Sequence, residues 1–191
     1  MKNKVIAFIL MLSLLVLTAC GGTAPAPNTL TPEELAARYE AALKAAQSGN
    51  EYAPPIFTNV SDYHFLIVEG FEDDFTEEEW KSQFEDYKSM LFQLTGLDPA
   101  DMQAYAMAIN LMNISVDAVA LIMPASGREQ AVTDALKAYV AQVQQSFQQY
   151  LPDQYEIAKQ ARIETLADGT LVLVMCEGGS SVLETIKKEL A

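Results

Sequence analysis

The most informative stretch for the fold of this chain is Ile163-Glu164-Thr165-Leu166-Ala167-Asp168-Gly169-Thr170-Leu171-Val172-Leu173-Val174-Met175-Cys176. An Asp-Gly pair between two apolar runs is the strongest short-range signal of a β-hairpin, because these residues accept the backbone angles of a tight turn. The stretch therefore predicts antiparallel strands over residues 163–166 and 171–176. A capping box at Ser181-Val182-Leu183-Glu184 predicts that a helix follows.

Three further helices are predicted upstream of the hairpin. Thr31-Pro32-Glu33-Glu34 and Thr76-Glu77-Glu78-Glu79 are capping boxes, and Ser126-Gly127-Arg128-Glu129 is expected to cap another helix. Apolar residues follow each start at helical spacing. The core stripe of the second of these helices is expected to comprise Trp80, Phe84, Tyr87, Leu91 and Leu94.

Two further segments are expected to be strands. Tyr63 to Val68 and Val119 to Met123 are rich in aromatic and β-branched residues. Residues 102–113 are ambiguous between helix and strand. Long helices separated by strands and one hairpin predict an α+β domain. Its helices should pack on a small antiparallel or mixed sheet, with the hairpin and its helix at the C-terminus.

The N-terminus carries a secretory signal. Lys2 and Lys4 precede an apolar run from Val5 to Leu17, and small residues follow. Leu17-Thr18-Ala19-Cys20 resembles the lipobox of bacterial lipoproteins, which implies that Cys20 receives a diacylglycerol and becomes the new N-terminus. The alternative is an ordinary signal peptide with a chance cysteine.

These features predict three segments: a signal peptide over residues 1–19, a lipid-anchored flexible tether over 20–29, and one domain over 30–191. No other apolar stretch reaches the roughly 18–20 residues that span a bilayer. We therefore expect the protein at the outer, extracytoplasmic face of the cell membrane, held there by the lipid on Cys20.

Composition restricts the partners of the domain. The chain has 26 acidic and 12 basic residues, and loss of Lys2 and Lys4 with the signal leaves 10 basic residues and a net charge of −16. Such a charge repels nucleic acid. Cys176 would be the remaining cysteine after lipidation, so no internal disulfide is expected. Its position in an apolar run indicates a small buried hydrophobic residue.

Few residues offer catalytic or ligand-binding chemistry. His64 is the only histidine, and a Cys176–His64 dyad would need an exposed thiol of lowered pKa. Glu177-Gly178-Gly179-Ser180-Ser181 could cradle an anion, but a tight strand-to-helix turn is the preferred interpretation. No cofactor motif is present. Weak candidates for Ca²⁺ ligands, or for an acid/base pair in sugar hydrolysis, are Glu69, Glu72, Asp73, Asp74, Glu77 and Glu78.

Several later segments carry a family resemblance. They are Gly96-Leu97-Asp98-Pro99, Leu111-Met112-Asn113-Ile114-Ser115, Ala118-Val119-Ala120-Leu121-Ile122, and the stretch from Ser146 to Tyr155. Over about residues 85–190 the chain resembles an uncharacterised family of bacterial lipoproteins, domain of unknown function 4358. The resemblance implies no activity and gives no residue a catalytic role.

The sequence therefore favours a non-enzymatic binding or interaction module of the cell envelope. Its partner would be an envelope protein or a cell-wall ligand. The alternatives are an envelope hydrolase that uses carboxylates of residues 69–79, and a calcium-dependent surface module.

Overall fold

A computed structural model describes residues 30–66 and 75–191. The predicted signal peptide, the tether with Cys20, and four acidic candidates (Glu69, Glu72, Asp73 and Asp74) lie outside the described residues. Within the described ranges, no helix has both the length and the apolar character needed to span a membrane.

Residues 30–66 and 75–191 form five α-helices and five strands, together with short 3₁₀ helices at Tyr63–Leu66 and Pro99–Asp101. The helices are α1 (Pro32–Ala46), α2 (Glu77–Thr95), α3 (Glu129–Phe147), α4 (Pro152–Ala158) and α5 (Gly179–Leu190). The strands are β1 (Ile56–Thr58), β2 (Met102–Ile109), β3 (Ala118–Pro124), β4 (Arg162–Thr165) and β5 (Leu171–Met175).

The strands form one sheet in the order β1-β2-β3-β5-β4, and every neighbouring pair is antiparallel. The predicted hairpin is confirmed as β4 and β5, with Thr165 opposite Leu171. The ambiguous segment 102–113 contributes strand β2. Its alanines favour helix in isolation, but in the sheet β2 pairs with neighbours on both sides and is almost wholly buried.

Helices cover both faces of the sheet, because alternate strand residues point to opposite sides. One face packs against α2, α3 and α4 through residues such as Met107 and Leu173. The other face packs against α1 and α5. There, β2 presents only alanines (Ala104, Ala106 and Ala108), and these small side chains face the buried Leu35, Tyr39 and Leu43 of α1. The α+β prediction is therefore confirmed.

Two of the predicted capping boxes form as expected. The hydroxyl of Thr31 accepts the Glu34 N–H at 3.2 Å, and that of Thr76 accepts the Glu79 N–H at 3.3 Å. The other two expectations are wrong. Helix α3 begins after Arg128 and α5 begins after Gly178, each without a side-chain cap. The N-cap of α5 is Gly178, which takes a left-handed φ of 66°. Because the helix begins at Gly179, Ser181 already lies in its first turn.

The predicted strand from Tyr63 to Val68 is also wrong. Residues Tyr63–Leu66 form a 3₁₀ helix, and Ile67 and Val68 lie outside the described residues. The reason is local: the Asp62 carboxylate accepts the His64 backbone N–H at 2.9 Å, which turns the chain. The edge strand of this region is instead β1, directly after Pro55.

Candidate functional site

A cleft of about 520 Å³ lies at one end of the sheet. At this end β2 and β5 finish, while β3 begins, since Ile109 pairs with Ala118 and Ala118 with Met175. The connections around these strand ends form the walls. The size falls within the range of about 300–1,000 Å³ typical of small-molecule sites.

The first wall is the connection from α1 to β1. It turns at Gly49, whose φ of 86° is in the left-handed region. Asn50 fixes the turn, because its backbone N–H donates to the Gln47 carbonyl at 3.0 Å and its side-chain oxygen accepts the Tyr52 N–H at 3.0 Å. This geometry places Tyr52 at the cleft with its side chain 88% exposed.

The second wall is the β2–β3 loop together with α4. The Ser115 hydroxyl donates to the Asp117 carboxylate at 2.6 Å. The side-chain oxygen of Gln154, on α4, accepts the Val116 N–H at 3.0 Å. Asp117 and Gln154 both line the cleft and are held by these contacts. These hydrogen bonds fix the positions of the Asp117 and Gln154 side chains at the cleft.

Cys176 and the turn after β5 line the remaining side of the cleft. Burial, and secondarily the charge of Asp117, raise the pKa of the Cys176 thiol to about 11. The thiol is therefore protonated and weakly nucleophilic at neutral pH. It packs against the α1–α5 face of the sheet as a small hydrophobic residue, but it is half-buried and lines the cleft, so the expectation of a buried residue is met only in part.

The two glycines after Cys176 have structural explanations. Gly178 has a positive φ, and a β-carbon at Gly179 would lie 3.1 Å from Cγ1 of Val174. Close approach of α5 to β5 therefore favours glycine at position 179. The preferred interpretation of residues 177–181, a tight strand-to-helix turn, is confirmed by the direct passage from β5 into α5.

The structure does not join His64 to the cleft. The His64 side chain lies 2.9 Å from the Asp62 carboxylate through Nδ1 and stacks on the Tyr63 ring at 4.1 Å. Neither His64 nor its neighbours are among the residues that line the cleft with Cys176. The hypothetical Cys176–His64 dyad is not assembled.

Two of the weak metal candidates of the sequence prediction, Glu77 and Glu78, lie within the described residues, and both are exposed in the first turn of α2. Glu77 forms an ion pair with Lys81 at 2.5 Å. Lys81 lowers the pKa of Glu77 through a hydrogen bond and its charge. In residues 30–66 and 75–191, no three His, Cys, Asp or Glu side chains are grouped to hold a metal ion.

No sequence pattern indicated that Asn50, Tyr52, Asp117 and Gln154 would line a cleft. They come from separate connections and form no local motif. The Ser115–Asp117 segment borders a stretch that carried the family resemblance, but its position beside Cys176 depends on the strand order.

A family model described as Domain of unknown function (DUF4358) matches residues 76–176, slightly more than half of the chain. No curated protein and no solved structure matches. The matched segment holds β2 to β5 and the Asp117, Gln154 and Cys176 side of the cleft, whereas Tyr52 lies before it.

Proposed function

This chain belongs to the family described as Domain of unknown function (DUF4358), and we propose that it is a non-enzymatic binding module of the cell envelope. Lipid on Cys20 would hold it at the outer face of the membrane. The lipobox-like Leu17-Thr18-Ala19-Cys20 supports this location, since it directly follows the apolar run of a signal peptide.

The cleft at the end of the sheet is the observation that carries the binding role. Its size suits a small ligand, and its lining combines amide, hydroxyl and carboxylate groups. The protonated Cys176 thiol supports binding rather than nucleophilic catalysis.

The lining also indicates the class of ligand. Asp117 and Glu177 contribute carboxylates, while no lysine or arginine is among the lining residues that the structure describes. Anionic ligands would be repelled by this lining. Hydroxyl-rich neutral or amine-bearing ligands would find hydrogen-bond acceptors and, at Tyr52, an exposed aromatic ring for stacking. Sugar fragments of the cell wall fit this chemistry.

Thermal unfolding tests the binding role. The purified protein is heated with cell-wall glycan fragments, with short peptides and with divalent cations in separate samples. A ligand at 100 times its dissociation constant adds about 2.7 kcal/mol of stability, which raises the Tm of a domain this size by several degrees.

Two tyrosine variants show whether the shift comes from the cleft. Tyr52→Ala should remove most of the shift with glycan fragments. Tyr150→Ala is the matched control, because this ring is 63% exposed but does not line the cleft. A shift with peptides or Ca²⁺ alone, or one that Tyr52→Ala leaves intact, would contradict binding of sugars in the cleft.

Cell fractionation tests the anchor separately. Cys20→Ala should release or mislocalise the protein, because the lipid attachment point is lost. Unchanged membrane retention of this variant would refute the lipobox interpretation.

A further inference from the structure

A pocket of about 270 Å³ lies between the β2–β3 loop and the C-terminal half of α3. Helix α3 lines it with five residues whose spacing places them on one face of the helix. They are Tyr139, Gln142, Val143, Ser146 and Phe147. The pocket is separate from the cleft, because none of its lining residues also lines the cleft.

The hydroxyl of Tyr139 offers this pocket a hydrogen bond. Tyr139 is 3% exposed, and its Oη has no hydrogen-bond partner among the described residues. The hydroxyl is nevertheless not sealed in the core. Of the buried side-chain polar atoms in residues 30–66 and 75–191, only Trp80 Nε1 is both closed to solvent and without a partner. The Tyr139 hydroxyl therefore borders open space, and the pocket is the open space that Tyr139 lines.

The surroundings of this hydroxyl are apolar at depth and uncharged at the rim. Val116, Val143 and Phe147 line the pocket and are at most 8% exposed. Gln142 and Ser146 are exposed, so they bring uncharged polar groups to its rim. No charged side chain is among the described residues that line the pocket. Because an unpaired charge is costly to bury, this lining favours a neutral ligand with an apolar body.

Asn110 supplies a second donor. Its side-chain oxygen accepts the Met112 backbone N–H at 2.8 Å, which identifies the other end of the amide as the nitrogen. That Nδ2 group has no acceptor in the part of the chain that the structure describes, and Asn110 lines the pocket. The Asn110 backbone N–H donates to the Asp117 carbonyl at 2.8 Å, which fixes the residue at the start of the loop. Two donors without a protein acceptor favour a ligand that accepts hydrogen bonds.

The volume of the pocket restricts the ligand to a small molecule. The space of about 270 Å³ equals that of roughly nine water molecules, at about 30 Å³ for each in the liquid. A single ring with one short substituent is of this size. A carbonyl group as that substituent supplies an acceptor without a charge.

We infer that this pocket binds a small neutral carbonyl compound with an apolar ring, whose oxygen accepts a hydrogen bond from the Tyr139 hydroxyl while the ring packs against Val143 and Phe147. The inference is independent of the sugar proposed for the cleft, because a different set of residues forms the site.

Titration of the purified protein followed by NMR tests the inference with three ring compounds of similar shape. Acetophenone carries a neutral carbonyl, benzoate carries an anionic carboxylate, and ethylbenzene carries no acceptor. Acetophenone should bind, and ethylbenzene should bind about fivefold more weakly, which is the usual net value of one hydrogen bond. Benzoate should bind more weakly by about tenfold or more, because no cationic side chain is among the described lining residues.

Tyr139→Phe removes the hydroxyl and keeps the ring. The variant should bind acetophenone about fivefold more weakly and should bind ethylbenzene as the original protein does. Its Tm should be unchanged, because the hydroxyl has no described protein partner to lose. Tyr105→Phe is the matched control. Tyr105 is 5% exposed and its hydroxyl also has no described partner, but it does not line the pocket, so this variant should bind acetophenone normally.

Four results would overturn the inference. They are an absence of acetophenone binding, benzoate binding as tight as that of acetophenone, unchanged acetophenone affinity of Tyr139→Phe, and an equal loss of affinity in Tyr105→Phe. A lowered Tm of Tyr139→Phe would also contradict it, since the hydroxyl would then have a partner within the protein. Acetophenone binding that Tyr52→Ala abolishes would assign the compound to the cleft instead.

Discussion

A buried pair of hydroxyls joins helix α1 to the hairpin. Tyr39 Oη and Thr170 Oγ1 lie 2.6 Å apart, and both residues are fully buried at 0% exposure. Tyr39→Phe keeps the ring but leaves the Thr170 hydroxyl without this partner in a region closed to water. An unsatisfied buried polar group costs about 1–3 kcal/mol. We expect a loss of about 2 kcal/mol in the free energy of unfolding.

The reciprocal variant completes a double-mutant cycle. Thr170→Val keeps the shape of the side chain and should cost about as much, since it leaves the Tyr39 hydroxyl unpaired. The double variant leaves neither hydroxyl behind, so its cost should be smaller than the sum of the two by about 1–2 kcal/mol. Urea unfolding followed by the fluorescence of the single tryptophan, Trp80, which is 7% exposed, measures all four proteins.

The cycle reports on the domain as a whole. Tyr39 precedes the segment matched by the family model, whereas Thr170 lies within it. A coupling energy between them would mean that α1 and the matched segment unfold together. Strictly additive costs, or single variants as stable as the exposed control Tyr150→Phe, would show that the two hydroxyls do not stabilise each other in the folded protein.

Three further predictions concern titration and capping. Cys176 should react with iodoacetamide at pH 8 about one hundred times more slowly than a thiol in the unfolded chain. Burial raises the pKa of this thiol from 9.0 to about 11, and each pKa unit lowers the thiolate fraction about tenfold. Equal reaction rates in the native protein and in urea would contradict this. Burial raises the pKa of Tyr105 to about 12 and also raises the pKa of Tyr139. As the pH rises, these phenols ionise in the unfolded chain before they ionise in the folded protein. The free energy of unfolding should therefore be constant below about pH 10 and fall as the pH rises towards 12. Urea midpoints that stay constant across this range would show that the phenols do not control alkaline stability. Thr31→Ala should lower the free energy of unfolding by about 1 kcal/mol, because helix α1 loses its N-cap hydrogen bond. Ser126→Ala should change the free energy of unfolding in urea little, because α3 has no side-chain cap.

Local signals predicted the elements whose chemistry is itself local. Asp168-Gly169 specifies a turn through its own backbone preferences, and Thr31 and Thr76 cap helices through residues three positions away. These elements were confirmed. Ser126 and Ser181 have the same pattern, but neither caps a helix. At the start of α5, the helix begins two residues before Ser181, at a glycine that packs close to Val174.

Tertiary context decided the elements that the sequence left open or assigned wrongly. The alanines of β2 lie in a strand, where their small side chains allow α1 to pack against the sheet. The segment from Tyr63 forms a 3₁₀ helix rather than the predicted strand, because the Asp62 carboxylate accepts a hydrogen bond from the His64 backbone N–H. The cleft depends on strand order, which brings Tyr52, Asp117 and Cys176 together from distant positions. No pattern along the chain carries that information.

Chemical-shift mapping tests the proposed binding site most directly. Backbone amide resonances of the isotopically labelled protein are followed during titration with cell-wall glycan fragments. If sugars bind in the cleft, the shifts should concentrate at Asn50, Tyr52, Asp117 and Gly178, which line it. Shifts confined to residues 69–79 would contradict it and favour the carboxylate-dependent alternatives, and an absence of shifts at saturating fragment concentration would contradict sugar binding altogether.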